Sequence, residues 1–314
     1  MRAFVAAVMA GEPRAPGQAP VDLIEKAHLG PIAYKMGDAR FRDVYAASAV
    51  MAVRRASVLV EIVSAVRARG VRVALIKGVA YAGTIYPDPA ERPMLDIDLL
   101  VPRRETAQAM RALSELGVRR VGHQRRRSRY YHAIEVRRGD LIVELHRGIM
   151  QHYRSTSVRM GDVWRRARPD PAAGGADRLD SVDDLLLCIL HIARHELAVP
   201  ALNYLDVSRQ WERLAEPERA ALRARAAEYR VSRAVAAVLS MTELLATGAS
   251  GRPDLRGGGR LLPGSDQVLL GEHPGRLRQI GQKLILNDGM REALGVGLNW
   301  GTSLIDGWRR DRRD

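Results

Sequence analysis

Two aspartates one residue apart stand in the apolar stretch Asp96-Ile97-Asp98-Leu99-Leu100-Val101. Side chains on a β-strand alternate between its two faces, so Asp96 and Asp98 share one face while Ile97 and Leu99 share the other. Two neighbouring carboxylates repel each other, and burial adds a desolvation cost. A divalent cation offsets both. The pattern therefore predicts a metal site on a half-buried strand.

A third acidic residue lies in the apolar run 141–146. At strand spacing, Glu144 shares a face with Ile142 and His146, opposite the leucine and valine side chains. Metal sites for phosphoryl chemistry commonly gather more than two carboxylates from different strands. An edge-strand glutamate in solvent is the alternative. Beside the Asp96 and Asp98 strand, we favour Glu144 as a third metal ligand.

Two basic positions are candidates for binding a triphosphate. Lys77-Gly78 ends an apolar run, where glycine permits close backbone approach and the lysine supplies charge. Arg92 stands four residues before Asp96 in a loop flanked by prolines, where it would neutralise the β- and γ-phosphates. The alternatives are an ordinary turn and a surface arginine in an arginine-rich chain.

The surrounding pattern predicts the elements that would position these residues. Residues 71–78 read as a strand entering a glycine turn, followed by a helical turn halted at Pro87 and Pro89. A second strand carries the aspartates, and residues 102–117 form an amphipathic helix that ends at Gly117. Residues 130–147 read as a β-hairpin turning at Gly139-Asp140.

The rest of the chain is predominantly helical in pattern. We predict an α+β fold: a small mixed β-sheet core flanked by helices, followed by a mostly α-helical C-terminal lobe. The expected domains are an N-terminal helical segment (1–70), the core (71–150) and a helical acceptor-binding lobe (151–314). One long helix or two shorter ones are expected over residues 41–70.

The amino-acid composition indicates the cellular compartment and the class of binding partner. The chain has 314 residues, a net charge of +14 and 50 basic residues, of which only four are lysines. This balance favours a polyanionic partner, which a nucleic acid or a nucleoside triphosphate would satisfy. The single Cys188 excludes an internal disulfide and fits a reducing cytoplasm. No apolar run reaches about 18 residues, so no membrane span is expected, and residues 3–10 read as an N-terminal helix.

A basic segment with interleaved aromatic residues covers residues 119–132. Its arginines, with Tyr130, Tyr131 and His132, have the composition of a surface that stacks bases and binds backbone phosphates. A solvated strand with tyrosines turned into the core fits the same residues. Both interpretations stay open.

The combination of these motifs carries a resemblance. The sequence LIKG…Y…P…R…DIDLLV, followed by LIVELH and by LLLCILHIARHEL…LNYLDV, resembles the uncharacterised bacterial nucleotidyltransferases of the DNA polymerase β-like superfamily over residues 70–210. The family pattern maps onto Gly78, Asp96, Asp98 and Glu144. The usual glycine-serine turn is Gly78-Val79 here, so the serine hydroxyl on the phosphate is missing and we expect Lys77 to substitute for it.

The resemblance implies a mechanism with two Mg²⁺ ions. Asp96 and Asp98 would bridge both ions and Glu144 would hold one of them, while an acceptor hydroxyl attacks the α-phosphate of an NTP, with ATP the expected donor. Pyrophosphate would leave beside Lys77 and Arg92.

The helical lobe supplies candidates for the acceptor pocket. Cys188, His191 and His195 share one helix face at i, i+3 and i+7, but a zinc site lacks a fourth ligand. The resemblance favours Cys188 in the core, with His191, His195 and Asp206 as substrate contacts or a general base. Buried structural roles fit them equally.

Three functions follow from these observations. The leading one is Mg²⁺-dependent transfer of an NMP from an NTP to a hydroxyl of a small molecule, peptide or protein. The second keeps the chemistry and makes RNA, such as a tRNA end, the acceptor, as in a toxin. The third is an inactive nucleotide- or nucleic-acid-binding module, against which the acidic trio argues.

Overall fold

The computed structural model describes residues 1–13, 17, 19–120, 133–149, 158–255, 259–272, 279, 281–282, 285–286 and 288. Within these residues the chain forms one mixed sheet and a set of helices. The strands are β1 (Ala74–Leu75), β2 (Asp96–Leu100), β3 (Arg119–Arg120), β4 (Ala133–Arg138), β5 (Leu141–His146), β6 (Arg168–Pro169) and β7 (Asp177–Arg178).

The described part of the sheet has seven strands in the order β3-β4-β5-β2-β1-β7-β6. The central strand β2 runs antiparallel to β1 and parallel to β5. β4 and β5 form the predicted antiparallel hairpin, with Arg138 opposite Leu141 across the turn. Strands β2 and β5 therefore lie side by side in the middle of the sheet, where their polar faces meet.

The helices of the first half frame this sheet. They are α1 (Arg2–Met9), α2 (Val21–Lys26), α3 (Gly30–Lys35), α4 (Arg42–Ala68), α5 (Gly78–Tyr81) and α6 (Thr106–Glu115). The pattern over residues 41–70 thus forms one helix of 27 residues. α6 is followed by Gly117 two residues after its end, and the φ of +72° at Gly117 is the conformation that favours glycine.

The second half is helical, as its pattern predicts. Its helices are α7 (Met160–Arg166), α8 (Ser181–Arg194), α9 (Ala201–Arg213), α10 (Glu216–Glu228), α11 (Ser232–Ala246) and α12 (Ser265–Leu270). Helix α8 is apolar around most of its circumference because α9, α10 and α11 all pack against it. Asp180 caps it by accepting from the Asp183 amide at 2.7 Å.

The predicted α+β class is confirmed. Two features lie outside the sequence prediction. The strands β6 and β7 extend the sheet as far as Arg178, beyond the span 71–150 predicted for the core. Helix α1 packs on α11 and α9, so the start of the chain joins the helical half. None of the helices in the described ranges is long and apolar enough to cross a membrane.

Candidate active site

The register of β2 and β5 brings the predicted acidic residues together. Asp98 lies beside Glu144, and Leu100 beside His146, in a parallel pair. His146 Nε2 lies 2.6 Å from Asp98 Oδ1 and 3.2 Å from Glu144 Oε2. Ile97 and Leu99 fill the core on the opposite face. The alternation of side chains along β2 therefore produces both its polar face and its buried apolar face.

Lys77 reaches the same carboxylate from the end of β1. Its Nζ donates to Asp98 Oδ1 at 2.7 Å. The backbone at Lys77 has φ +55° and ψ −137°, a conformation that L-residues other than glycine adopt only at a cost. The amide of Ile76 donates to the Asp98 carbonyl at 3.3 Å, which fixes the two strands at this point. The strained turn therefore aims the ammonium group at the acidic face.

Glycine at the next position gives room to the side chain of Met94. A Cβ on Gly78 would stand 3.3 Å from both Cβ and Sδ of Met94, a contact tighter than packed side chains normally make. Met94 precedes Asp96 by two residues. The turn after β1 and the entry to β2 are therefore in close contact, and a side chain between them would have to displace Met94.

The two aspartates differ in their electrostatics. Burial favours the neutral form of Asp98, but the Lys77 ammonium and the hydrogen bond with His146 outweigh it and hold the pKa of Asp98 well below its usual range. Burial, with the charge of Asp98, raises the pKa of Asp96 to about 6. The hydrogen bond with His146 lowers the pKa of Glu144. Of the two aspartates, Asp98 is therefore firmly ionised, whereas Asp96 readily gains a proton.

The site has the donors that a divalent cation needs. One ligand atom each from Asp98, Glu144 and His146 lies within 4.8 Å of the other two, and Asp98 and His146 are buried. The two carboxylates suit Mg²⁺ or Mn²⁺, and the imidazole is a ligand that Zn²⁺ favours. Among the described residues this group does not include Asp96. Since Lys77 and His146 both contact Asp98 Oδ1, an ion bound there would replace at least one of these contacts.

Arg92 and Asp206, predicted for separate roles, form one buried ion pair. Arg92 Nε lies 2.9 Å from Asp206 Oδ1, and its Nη2 lies 2.7 Å from Oδ2, the two-pronged geometry that a guanidinium prefers. Nη1 donates to the carbonyl of Pro93 at 2.7 Å, and the hydroxyl of Tyr86 donates to Asp206 Oδ1 at 2.7 Å. The pair ties the β1–β2 connection to α9.

His191 lies in the last turn of α8, and His195 follows directly after the helix. Burial, reinforced by the charge of Lys77, lowers the pKa of His191 well below its usual range, so its imidazole is neutral. The ring of the exposed His195 packs against it at a centroid distance of 4.8 Å. Cys188 is buried, with Sγ 3.9 Å from the carbonyl oxygen of Asn203. Across the described ranges, these three do not form a metal-binding group.

A comparison of the sequence with known protein families indicates which class of reaction fits this geometry. The family described as "Uncharacterised nucleotidyltransferase" matches residues 28–247. The chain belongs to this family. The matched range contains β1, β2, β5, α8 and α9, and with them the residues of the candidate active site. A search of curated proteins finds no match. Membership in this nucleotidyltransferase family implies a transferase that uses an NTP and a divalent metal ion.

Sequence reasoning singled out neither His146 nor Arg55, which both lie close to the acidic strand β2. His146 shares the face of Glu144 by simple alternation, and its position two residues later was a sufficient signal. Arg55, on α4, donates through Nη2 to the carbonyl of Met94, and one arginine among many gave no signal. The basic segment 121–132, including Tyr130, Tyr131 and His132, lies outside the described residues, so its proposed role in binding nucleic acid stays a prediction.

Proposed function

We propose that this protein transfers an NMP from an NTP, with ATP the expected donor, to a hydroxyl group and releases pyrophosphate. The observation that carries the proposal is the convergence of Asp98, Glu144 and His146 on two parallel strands, beside Lys77. A nucleotidyltransferase needs a metal site next to a cation for the phosphates, and this face of the sheet offers both.

Asp98 and Glu144, with Asp96 on the same face and His146 as a further ligand, are the proposed metal-binding residues. Bound Mg²⁺ would neutralise phosphate charge and lower the pKa of the acceptor hydroxyl. The acceptor oxygen forms a bond to the α-phosphorus, the bond from that phosphorus to the β-phosphate oxygen breaks, and the hydroxyl proton is released. Lys77, freed from Asp98, would hold the phosphates of the leaving group.

The acceptor is proposed to bind against the helical lobe within residues 151–314. Support comes from His191, a neutral imidazole close enough to Lys77 and Asp98 for their charges to act on it. His195 extends this surface from the C-terminal end of α8. A small molecule, peptide or protein hydroxyl suits such a pocket. The net charge of +14 keeps RNA as the alternative acceptor.

The test is a transfer assay with α-labelled NTPs and Mg²⁺, offering hydroxyl-bearing metabolites, peptides and total RNA as acceptors. Wild-type protein should label one acceptor class and release pyrophosphate. Asp98→Asn should reduce the rate on the order of a hundredfold or more, because it removes the charge that binds the metal ion. Mn²⁺ titration followed by electron paramagnetic resonance should show weaker binding to the variant.

Asp140→Asn is the matched control, since Asp140 is an exposed aspartate in the β4–β5 turn whose carboxylate pairs with Arg54. It should keep wild-type transfer and metal affinity. Full activity of the Asp98→Asn variant would contradict the proposed site. Label confined to RNA would select the RNA acceptor. Nucleotide binding without transfer to any acceptor would favour an inactive binding module.

A further inference from the structure

The described site contains fewer free cations for a triphosphate than the sequence predicts. A triphosphate carries three or four negative charges, and metal ions and basic side chains usually neutralise it together. Arg92 directs three of its nitrogens to Asp206 and to the Pro93 carbonyl. Its side chain is buried with that partner. Releasing it would leave Asp206 as an uncompensated buried charge, which is strongly unfavourable.

Arg55 is a second arginine close to the acidic strand β2. It extends from α4, and its Nη2 donates to the carbonyl of Met94, two residues before Asp96. Met94 in turn packs its side chain on Gly78. The arginine and the Lys77-Gly78 turn therefore flank one residue at the entry to β2.

The hydrogen-bonding capacity of Arg55 is largely unused. Its Nε is buried and has no acceptor in the described residues. No carboxylate there forms a salt bridge with it, whereas the adjacent Arg54 pairs with Asp140 and Arg138 pairs with Glu61. Burial lowers the pKa of Arg55, opposed first by the negative charge of Asp96. A buried guanidinium donor without an acceptor is costly, and an oxygen-rich anion would satisfy it.

We infer that Arg55 binds non-bridging phosphate oxygens of the incoming NTP, on the β- or γ-phosphate, opposite Lys77. This inference rests on the proposed function and assigns the phosphate role predicted for Arg92 to a residue of α4. A guanidinium presents several N–H groups in a plane and so suits phosphate oxygens better than an ammonium does. Arg55 is held through Met94 and is therefore already ordered before the nucleotide arrives.

The test compares Arg55→Gln with Arg54→Gln in the full chain. Arg54 is the adjacent residue on α4, and its partner Asp140 lies in the β4–β5 turn. The probes are α,β-methylene-ATP, which retains a triphosphate but resists transfer, and AMP, each titrated calorimetrically with Mg²⁺ present. Arg55→Gln should weaken the triphosphate analogue about tenfold or more while AMP affinity stays within about twofold. Arg54→Gln should match wild type for both.

Arg55→Lys keeps the positive charge but lacks the planar guanidinium. It should therefore recover part of the lost affinity for the triphosphate analogue. It also covers the case in which Arg55→Gln fails to fold, which thermal melting would reveal. Equal losses for AMP and the triphosphate analogue would overturn the inference, because they would mean a general disturbance of the site. So would unchanged triphosphate affinity in both Arg55 variants. Wild-type protein that binds no triphosphate would overturn the proposed function as well, so the two failures are distinguishable.

Discussion

Lys77 combines a strained backbone with a salt bridge. The effects of these two features on stability can be measured separately by mutation. Lys77→Ala and Lys77→Gly both remove the ammonium from Asp98. Only glycine also relieves the cost of φ +55°, which is about 1–3 kcal/mol for other residues. Greater freedom in the unfolded chain offsets about 0.5–1 kcal/mol of that gain. Lys77→Gly should therefore be the more stable variant by about 1 kcal/mol in urea unfolding.

The control for this comparison is Arg67, an exposed residue in the last turn of α4. There the backbone is helical, so alanine should be more stable than glycine by about 1 kcal/mol. Opposite orders at the two positions would establish that strain, and not a general preference for glycine, governs Lys77. Lys77→Ala that matches or exceeds Lys77→Gly in stability would contradict the argument.

At the scale of elements, the ion pair of Arg92 and Asp206 joins the β1–β2 connection to α9. Both side chains are almost fully buried. Removing one partner leaves the other charged in an apolar surrounding, so Arg92→Met or Asp206→Leu alone should cost about 3–5 kcal/mol. The double variant should cost much less than the sum of the two. A double-mutant cycle in urea unfolding measures this coupling.

Arg223 and Glu216 on α10 provide the matched exposed pair. Their variants should each change the free energy of unfolding by less than about 1 kcal/mol. Additive effects at Arg92 and Asp206 would mean that the pair contributes little to holding the two elements together. In that case Arg92 would be available for the phosphate role that the sequence predicts.

The elements also show what a single sequence can predict. Alternation along β2 and β5 is local, so the shared face of Asp96 and Asp98, the position of Glu144 and the hairpin were accessible. The bond between Arg92 and Asp206 joins residues 114 positions apart, and no local pattern carries such a pairing. The two-residue strands β6 and β7 are too short for a periodic signal. Arg55 looks like any helical arginine until α4 is placed beside Met94.

At the scale of the whole molecule, partly buried acidic groups link folding to pH. Asp184, in the first turn of α8, lies 3.4 Å from the Tyr81 hydroxyl. Burial raises its pKa to about 7, against the opposing charge of Arg178. Its neighbour Asp183 is also buried but pairs with Arg166 and Arg225. Two adjacent aspartates therefore affect stability in opposite ways.

The folded state holds the Asp184 proton more tightly than the unfolded chain does, so stability from this group is complete below about pH 4 and falls as the pH rises toward about 7. Asp184→Asn keeps the shape and removes the titration. It should resemble wild type near pH 4.5 and exceed its free energy of unfolding by about 1–3 kcal/mol at pH 8. Asp183→Asn, the control, should be less stable than wild type at pH 8 because it breaks an ion pair. Urea unfolding at both pH values measures these differences. A stability gap between Asp184→Asn and wild type that stays constant with pH would show that Asp184 does not couple folding to protonation.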